Sequence, residues 1–404
     1  MPPSSAKPAA PPVAKPVPRK SAAGSLAGFC PWAAGEGVRV YLRPVGLMPV
    51  AAWSKGAAVP LAGGRFAFST AELIVRDRPG GAGDDGGDDG GEGRLDRAFA
   101  PLSEIMAWGW ERSRAVAEAL DRQLGALTRA RAPFGGLAMD RPRIMGIVNV
   151  TPDSFSDGGQ FLDPAAAIAH GEALLAAGAD LLDIGGESTR PGSSPVSPEE
   201  EERRVLPVVQ HFAVRGAVVS VDTRHARVMA SAAAAGARIV NDIAGLADPD
   251  ALPVVARGAI PVVVMHMQGD PGTMQANPTY RDAALDVFDW LEERVARCAA
   301  AGVPPERIAV DPGIGFGKST AHNLDILRHT ALYHALGCAV LIGLSRKGFI
   351  SRLSRGEPPK ERLAGSLAAG LETLNQGAQI LRVHDVAETV QARALWEGLH
   401  PVPS

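Results

Sequence analysis

Eight short apolar runs in the C-terminal two-thirds of the chain each stop at a polar residue suited to catalysis or anion binding. In order they are RIMGIVN ending at Asn149, DLLDIGGES around Asp183, AVVSVD at Asp222, RIVND at Asn241 and Asp242, IPVVVMHM at His266, RIAVD at Asp311, AVLIGLSRK at Ser345 to Lys347, and ILRVH at Arg382 and His384. One strand-end Asp or Asn is commonly just the N-cap of the following helix. Eight in succession call for another explanation, because a parallel barrel points all its strand C-termini at one face and gathers distant residues into one pocket. Helical stretches alternate with the runs. Residues 164–177 follow Asp163 as a cap and stop at Gly178, and residues 197–215 open on SPEEEE, whose acids complement a helix N-terminus. The expected fold class is therefore α/β, a (β/α)8 TIM barrel of right-handed βα repeats, with an additional N-terminal α+β extension. An open doubly wound sheet would use fewer strands and bind at one switch point.

The chain has 404 residues, whereas a barrel takes about 250. Something else is attached. Residues 1–28 read as a disordered Pro/Ala-rich tail, and residues 29–79 as a small strand-containing region with VRVYLRPVGL, GGRFAFS and AELIVRD. GGAGDDGGDDGGEG, residues 80–93, reads as a flexible linker; as a calcium loop it lacks the closing glutamate of an EF-hand. Residues 94–140 read as a helical segment docking on the barrel, with helix over 95–131 and Val116, Leu120, Leu124 and Leu127 on one face. Residues 141–400 form the expected catalytic barrel.

A net charge of −3 gives no electrostatic case for nucleic acid or a membrane surface, and 46% hydrophobic residues support a large core. Cys30, Cys298 and Cys338 lack metal-ligand spacing and read as small core hydrophobes in a reducing cytoplasm. No secretory h-region and no bilayer-length apolar stretch stands in the sequence, so a soluble cytoplasmic protein is expected.

Two long polar loops follow the first two barrel strands: MGIVNVTPDSFSDGG at residues 145–159 and DIGGESTRPGS at 183–193. On one barrel face they read as lids carrying oxygens for a metal or phosphate. With VDT at 221–223, ND at 241–242, MHM at 265–267, DPGIGFGK at 311–318, SRK at 345–347 and RVHDV at 382–386, they make residues 143–397 resemble the dihydropteroate synthases of the folate pathway. Residues before 143 lie outside the resemblance.

That resemblance implies condensation of 6-hydroxymethyl-7,8-dihydropterin diphosphate with p-aminobenzoate, assisted by Mg2+, in a homodimer open to sulfonamides. It assigns Asp222, Asn241, Met265, Asp311 and Lys347 to the pterin, and Asn149, Arg382 and His384 to the diphosphate. Asn149 would also contact the metal, and Asp157, Lys347 and Asn149 carry the catalytic roles. Phe155, Thr189, Arg190, Pro191 and Ser345 would hold p-aminobenzoate. The residue types suit these tasks: a buried carboxylate accepts two N–H bonds from an aminopyrimidine edge, and Arg presents a planar fork to phosphate oxygens. Met265 reads equally well as core.

Other readings are open to discrimination. A P-loop at 311–319 would need glycine where Pro312 stands. Lys347 as a Schiff-base lysine does not account for its SRK context. A corrinoid-linked methyltransferase barrel would not need NVTPDSFSDGG, SRK and RVH together, and a noncatalytic pterin-binding scaffold would be expected to lose Asn149, Lys347, Arg382 or His384.

Overall fold

The computed structural model describes residues 26, 28–30, 33, 38–54, 56–77, 94–151, 164–188, 196–270 and 272–402. The extension comprises β1 (Val38–Val45), β2 (Met48–Pro49), β3 (Val59–Pro60), β4 (Phe66–Phe68), β5 (Thr70–Asp77), β6 (Leu95–Pro101), α1 (Leu102–Arg112) and α2 (Arg114–Thr128). Strands β1, β5 and β6 form an antiparallel sheet with β5 in the centre, and β2, β4 and β3 form a smaller one. Ser113 caps α2 by accepting the Val116 N–H at 3.2 Å, and the helix buries Val116, Leu120 and Leu127, with Leu124 packed at the margin. Gln123 of α2 completes the exposed edge of β1, accepting from Leu42 N and donating to Val40 O.

Two expectations need correction here. The stretch from residue 95 begins as strand β6, pairing Ala98 with Leu73 and Ala100 with Ala71. Its inward residues are alanines, which fit a helical period as readily as a period of two, so the alternation was hidden. Residues 80–93, outside the described set with most of 1–28, join two neighbouring antiparallel strands of one sheet rather than two domains.

The sheet is covered on both sides. Leu42, Leu73 and Val75 pack with Trp108 and Leu120 of the extension helices, whereas Tyr41 and Ile74 belong to the barrel's outer core. That is why six consecutive residues of β5 are buried.

From Arg143 onward eight parallel strands close in chain order: β7 (Arg143–Asn149), β8 (Leu181–Gly185), β9 (Val219–Asp222), β10 (Ile239–Asp242), β11 (Val262–Met265), β12 (Ile308–Asp311), β13 (Ala339–Ile342) and β14 (Ile380–Val383). Around them lie α3 (Pro164–Ala176), α4 (Pro198–Ala213), α5 (Ala226–Ala234), α6 (Ala251–Arg257), α7 (Ala283–Ala300), α8 (Thr320–Arg328), α9 (Gly348–Leu353), α10 (Leu363–Asn375) and α11 (Val386–Leu399). The α/β barrel with an α+β extension is thus the observed architecture. Ser197, read from sequence as the first helical residue, is the cap of α4, accepting from Glu200 N.

The strand N-termini are plugged by Phe134, which packs with Met145, Leu181, Val218, Ile239, Val263, Ala309, Ala339 and Ile380. Phe134 and Leu137 exchange backbone hydrogen bonds of 2.8 and 3.0 Å across a Gly135–Gly136 turn, both glycines having positive φ. The opposite end is left for polar side chains. All three cysteines are buried and unpaired. Among the described residues no helix is long and apolar enough to cross a membrane.

Candidate active site at the strand C-termini

Strand register creates the site. Asn149 lies opposite Gly185, Gly185 opposite Asp222, and Asp222 opposite Asn241, one row across four neighbouring strand ends; further round, Met265 lies opposite Asp311. Asn149 and Asn241, 92 positions apart along the chain, thereby fall in one row.

Beneath this row Asp183 is fully buried. Its Oδ2 accepts from Asn241 Nδ2 at 2.9 Å and from Arg382 Nε at 2.6 Å, while Arg382 Nη2 donates to Asp222 Oδ2 at 2.6 Å. Asp183 Oδ1 has no hydrogen-bond partner among the described residues. A buried carboxylate oxygen without a donor is costly, and points to a ligand or water that supplies one. Burial pushes Asp222 up to about 7, with Arg382 opposing and Asp183 reinforcing the shift. Burial works against the charge on Arg382 too, but Asp183 and Asp222 hold its pKa above the ordinary value.

Asp311 closes the other side. Its Oδ1 accepts the Gly313 N–H at 2.7 Å, and burial pushes it up to about 6 against the pull of that N–H, Lys347, Arg382 and Lys318. Lys347 Nζ stands 4.0 Å from the centre of the Phe316 ring. Burial, reinforced by Arg382, pushes it down to about 8, with Asp311 and Asp222 opposing. A Cβ on Gly343 would lie 3.7 Å from Asp311 Oδ2 and 3.8 Å from Arg382 Cβ, so glycine keeps the space between them open.

At the rim, Ser345 Oγ receives the His384 backbone N–H at 3.2 Å and faces His384 Nδ1 at 3.1 Å. Burial first, then Arg382 and Arg346, pushes His384 down to about 3, so the ring is neutral and binds an anion only through an N–H tautomer. Arg346, between Ser345 and Lys347, is at φ 58°, a region that non-glycine residues rarely occupy. Its N–H donates to Ser366 Oγ at 2.9 Å, its guanidinium pairs with Asp385, and its carbonyl accepts from Arg362 at 2.9 Å. Those contacts over-determine the strained turn.

The structure thus brings together Asp222, Asn241, Asp311, Lys347 and Arg382, with Asn149 and Met265 in the same rows and Ser345 and His384 at the edge. Phe155, Asp157, Thr189, Arg190 and Pro191 lie outside the described residues. Sequence reasoning gave no site role to Asp183, Lys318, Arg346 or Asp385; position within the motifs was their only signal. Among the described residues no three His, Cys, Asp or Glu cluster as a metal cage. A Mg2+ at this mouth would therefore need most of its oxygen ligands from phosphate and water.

The family description for pterin binding enzymes matches residues 145–384. Dihydropteroate synthase of Escherichia coli strain K12 is 47% identical over 263 residues, covering 65% of this chain and 93% of that protein. The Xanthomonas albilineans dihydropteroate synthase solved with 4-aminobenzoic acid is 50% identical, with a TM-score of 0.62 over 66% of this chain and 96% of that one. The same enzyme in complex with 7,8-dihydropteroate is 48% identical, with a TM-score of 0.61 over 66% and 97%. With its closed barrel and its ring of polar strand ends, the chain belongs to the pterin binding enzymes, and among them to the dihydropteroate synthases.

Proposed function

We propose that the barrel mouth joins 6-hydroxymethyl-7,8-dihydropterin diphosphate to p-aminobenzoate, yielding 7,8-dihydropteroate and diphosphate, with its residues divided between a deep pterin cup and an anionic rim. The observation that carries this reading is the unfilled acceptor on buried Asp183, set beside Asp222, Asn241 and Asp311. An aminopyrimidine edge offers the adjacent N–H donors that such carboxylates require. Lys347 faces the ring acceptors from the Phe316 side, and Met265 lines the flat face.

The C–O bond to diphosphate breaks first, its electron pair leaving with the phosphate. The methylene cation is stabilised by the pterin ring and by carboxylates already fixed in a buried site. The aniline nitrogen then attacks that carbon and loses a proton. Arg382, neutral His384 and Asn149 receive the diphosphate. Asn149 would hold Mg2+ there, and the ion would supply positive charge against the departing oxygens. By the family resemblance we assign p-aminobenzoate to Ser345 together with Phe155, Thr189, Arg190 and Pro191, and stabilisation of the cation to Asp157. No covalent enzyme intermediate is needed. Sulfonamides, as p-aminobenzoate mimics, compete at the same rim.

Purified chain supplied with both substrates and Mg2+ should release diphosphate only when p-aminobenzoate is present. Release independent of p-aminobenzoate, or pterin binding without turnover, would overturn the assignment. The division of roles has its own test: Asp311→Ala abolishes binding of 6-hydroxymethylpterin, which lacks the diphosphate, whereas Arg382→Ala chiefly impairs use of the diphosphate ester. A homodimer follows from the family resemblance, and the mass in solution checks it.

A further inference from the structure

Lys318 is a fully buried lysine that touches no carboxylate among the described residues and has no part in the reaction as described above. Its Nζ lies 2.8 Å from His266 Nδ1, 3.3 Å from the His266 carbonyl oxygen and 3.0 Å from the Phe316 carbonyl oxygen. Three acceptors match the three N–H groups of an ammonium. The side chain therefore folds back over its own loop and fastens it to the chain leaving β11.

That loop bears directly on the cup. It begins at Asp311, whose Oδ1 holds the Gly313 N–H, and a Cβ on Gly313 would lie 1.9 Å from the same His266 carbonyl oxygen, so the loop is flush against β11. It continues to Phe316, whose ring lies beneath Lys347 Nζ. We propose that Lys318 is a positioning residue for the reaction: its buried ammonium locks the glycine loop after β12 to the end of β11, fixing the Phe316 platform under Lys347 and placing a third cation opposite Asp311.

The charges around the cup agree. Asp183, Asp222 and Asp311 face Arg382, Lys347 and Lys318, and without Lys318 the carboxylates outnumber the cations. Lys318 is faced by Asp311 and Lys347, by His266 at the end of β11, by the Tyr280 ring 6.0 Å away and by His322 of α8. Asp311 is faced also by Lys347 and Arg382, and Lys347 by Arg382, Asp311 and Asp222. Burial pushes Lys318 down to about 7 while Asp311 opposes. Removing this cation makes Asp311 harder to ionise and Lys347 easier to keep protonated, so both titrations move to higher pH.

The inference rests on the assignment of Asp311 and Lys347 to the pterin, and the experiment separates the two claims. Calorimetry of 6-hydroxymethylpterin with the full chain is run against pH for the parent, Lys318→Met, Lys318→Gln and Asp311→Asn. Lys318→Met should bind about tenfold to hundredfold more weakly, with both limbs of the pH profile displaced upward by about half a unit or more. Lys318→Gln, which keeps a donor without the charge, should recover part of the affinity but retain the displaced limbs, and it decides the matter if the Met variant does not fold. Equal loss at every pH, with the limbs unmoved, would reduce Lys318 to a core residue and overturn the proposal, as would unchanged affinity. Unimpaired binding by Asp311→Asn would overturn the pterin assignment on which it stands.

Discussion

Arg382 divides its guanidinium between Asp183 and Asp222, so two buried carboxylates share one cation. Replacing Asp183 by Ala leaves Asn241 without its acceptor and relieves Asp222 of a like charge. Affinity for 6-hydroxymethylpterin should fall by about 2 kcal/mol, while the acid limb of binding moves to lower pH; calorimetry across the acid and neutral range reads both, and an unmoved limb would show that the carboxylates act independently. Gly343→Ala asks a separate question. The added methyl makes only ordinary contacts with Asp311 and Arg382, so it should alter thermal stability by less than about 1 kcal/mol yet weaken pterin binding about tenfold. A variant that binds as the parent does would place the ligand elsewhere. The strand-end residues of this cup were legible because each closes an apolar run. Asp183 was named at the second of those runs but could be given no ligand, since Asp180 is as polar and lies in the same run; only the fold sends Asp180 to Arg141, Arg143 and Arg393 and Asp183 inward. Lys318 was concealed differently: its motif suggests phosphate, and once Pro312 excludes a P-loop nothing in the spacing proposes a partner.

Helix α7 shows how an element makes a docking face. Asp282, Asp286 and Asp289 recur at four- and three-residue spacing, one stripe of the helix, and meet Arg97, Arg76 and Arg39 of the extension. Between them the Tyr41 ring meets Phe288 edge-on at 5.6 Å, its hydroxyl donating to Asp289 at 2.9 Å. Arg76 is the most buried of the three arginines, so Arg76→Ala should cost about 2 kcal/mol, more than an exposed pair and less than a fully buried one. Urea melts check the value, and a cost under about 0.5 kcal/mol would mean that the stripe directs docking without stabilising it. Phe134 acts at the other end of the barrel, and Phe134→Ala should cost about 3–5 kcal/mol through the cavity it leaves. The barrel strands were readable from their periodicity, whereas β6 and the Phe134 turn were not. Alanines mask the first, and the second is a single aromatic whose cluster draws on seven strands and on Val218 just before β9.

At the scale of the whole molecule, the extension and the catalytic mouth are built from separate contacts. Among the described residues the extension reaches α7, residues 328–334 and the C-terminal residues 397–400, and none of its hydrogen bonds or ion pairs goes to the strand-end residues of the cup. Among the described residues its hydrophobic cluster includes only Ala331 of the buried barrel residues, while Tyr41, Phe66 and Ile74 enter the barrel's own core. Two truncations therefore have different outcomes. Removing residues 1–130 keeps the Phe134 plug; it exposes the face of α7 and strips its carboxylates of their arginines, so the melting temperature should drop by several degrees while pterin affinity stays within about threefold of the parent. Removing residues 1–142 also opens the barrel floor, and the product should melt far lower or fail to fold, because the second loss falls on a core shared by every strand. Should the shorter truncation stay folded yet lose turnover, the extension would have to act on the mouth through the barrel wall, and α7, the element both parts share, would be the place to look for the coupling.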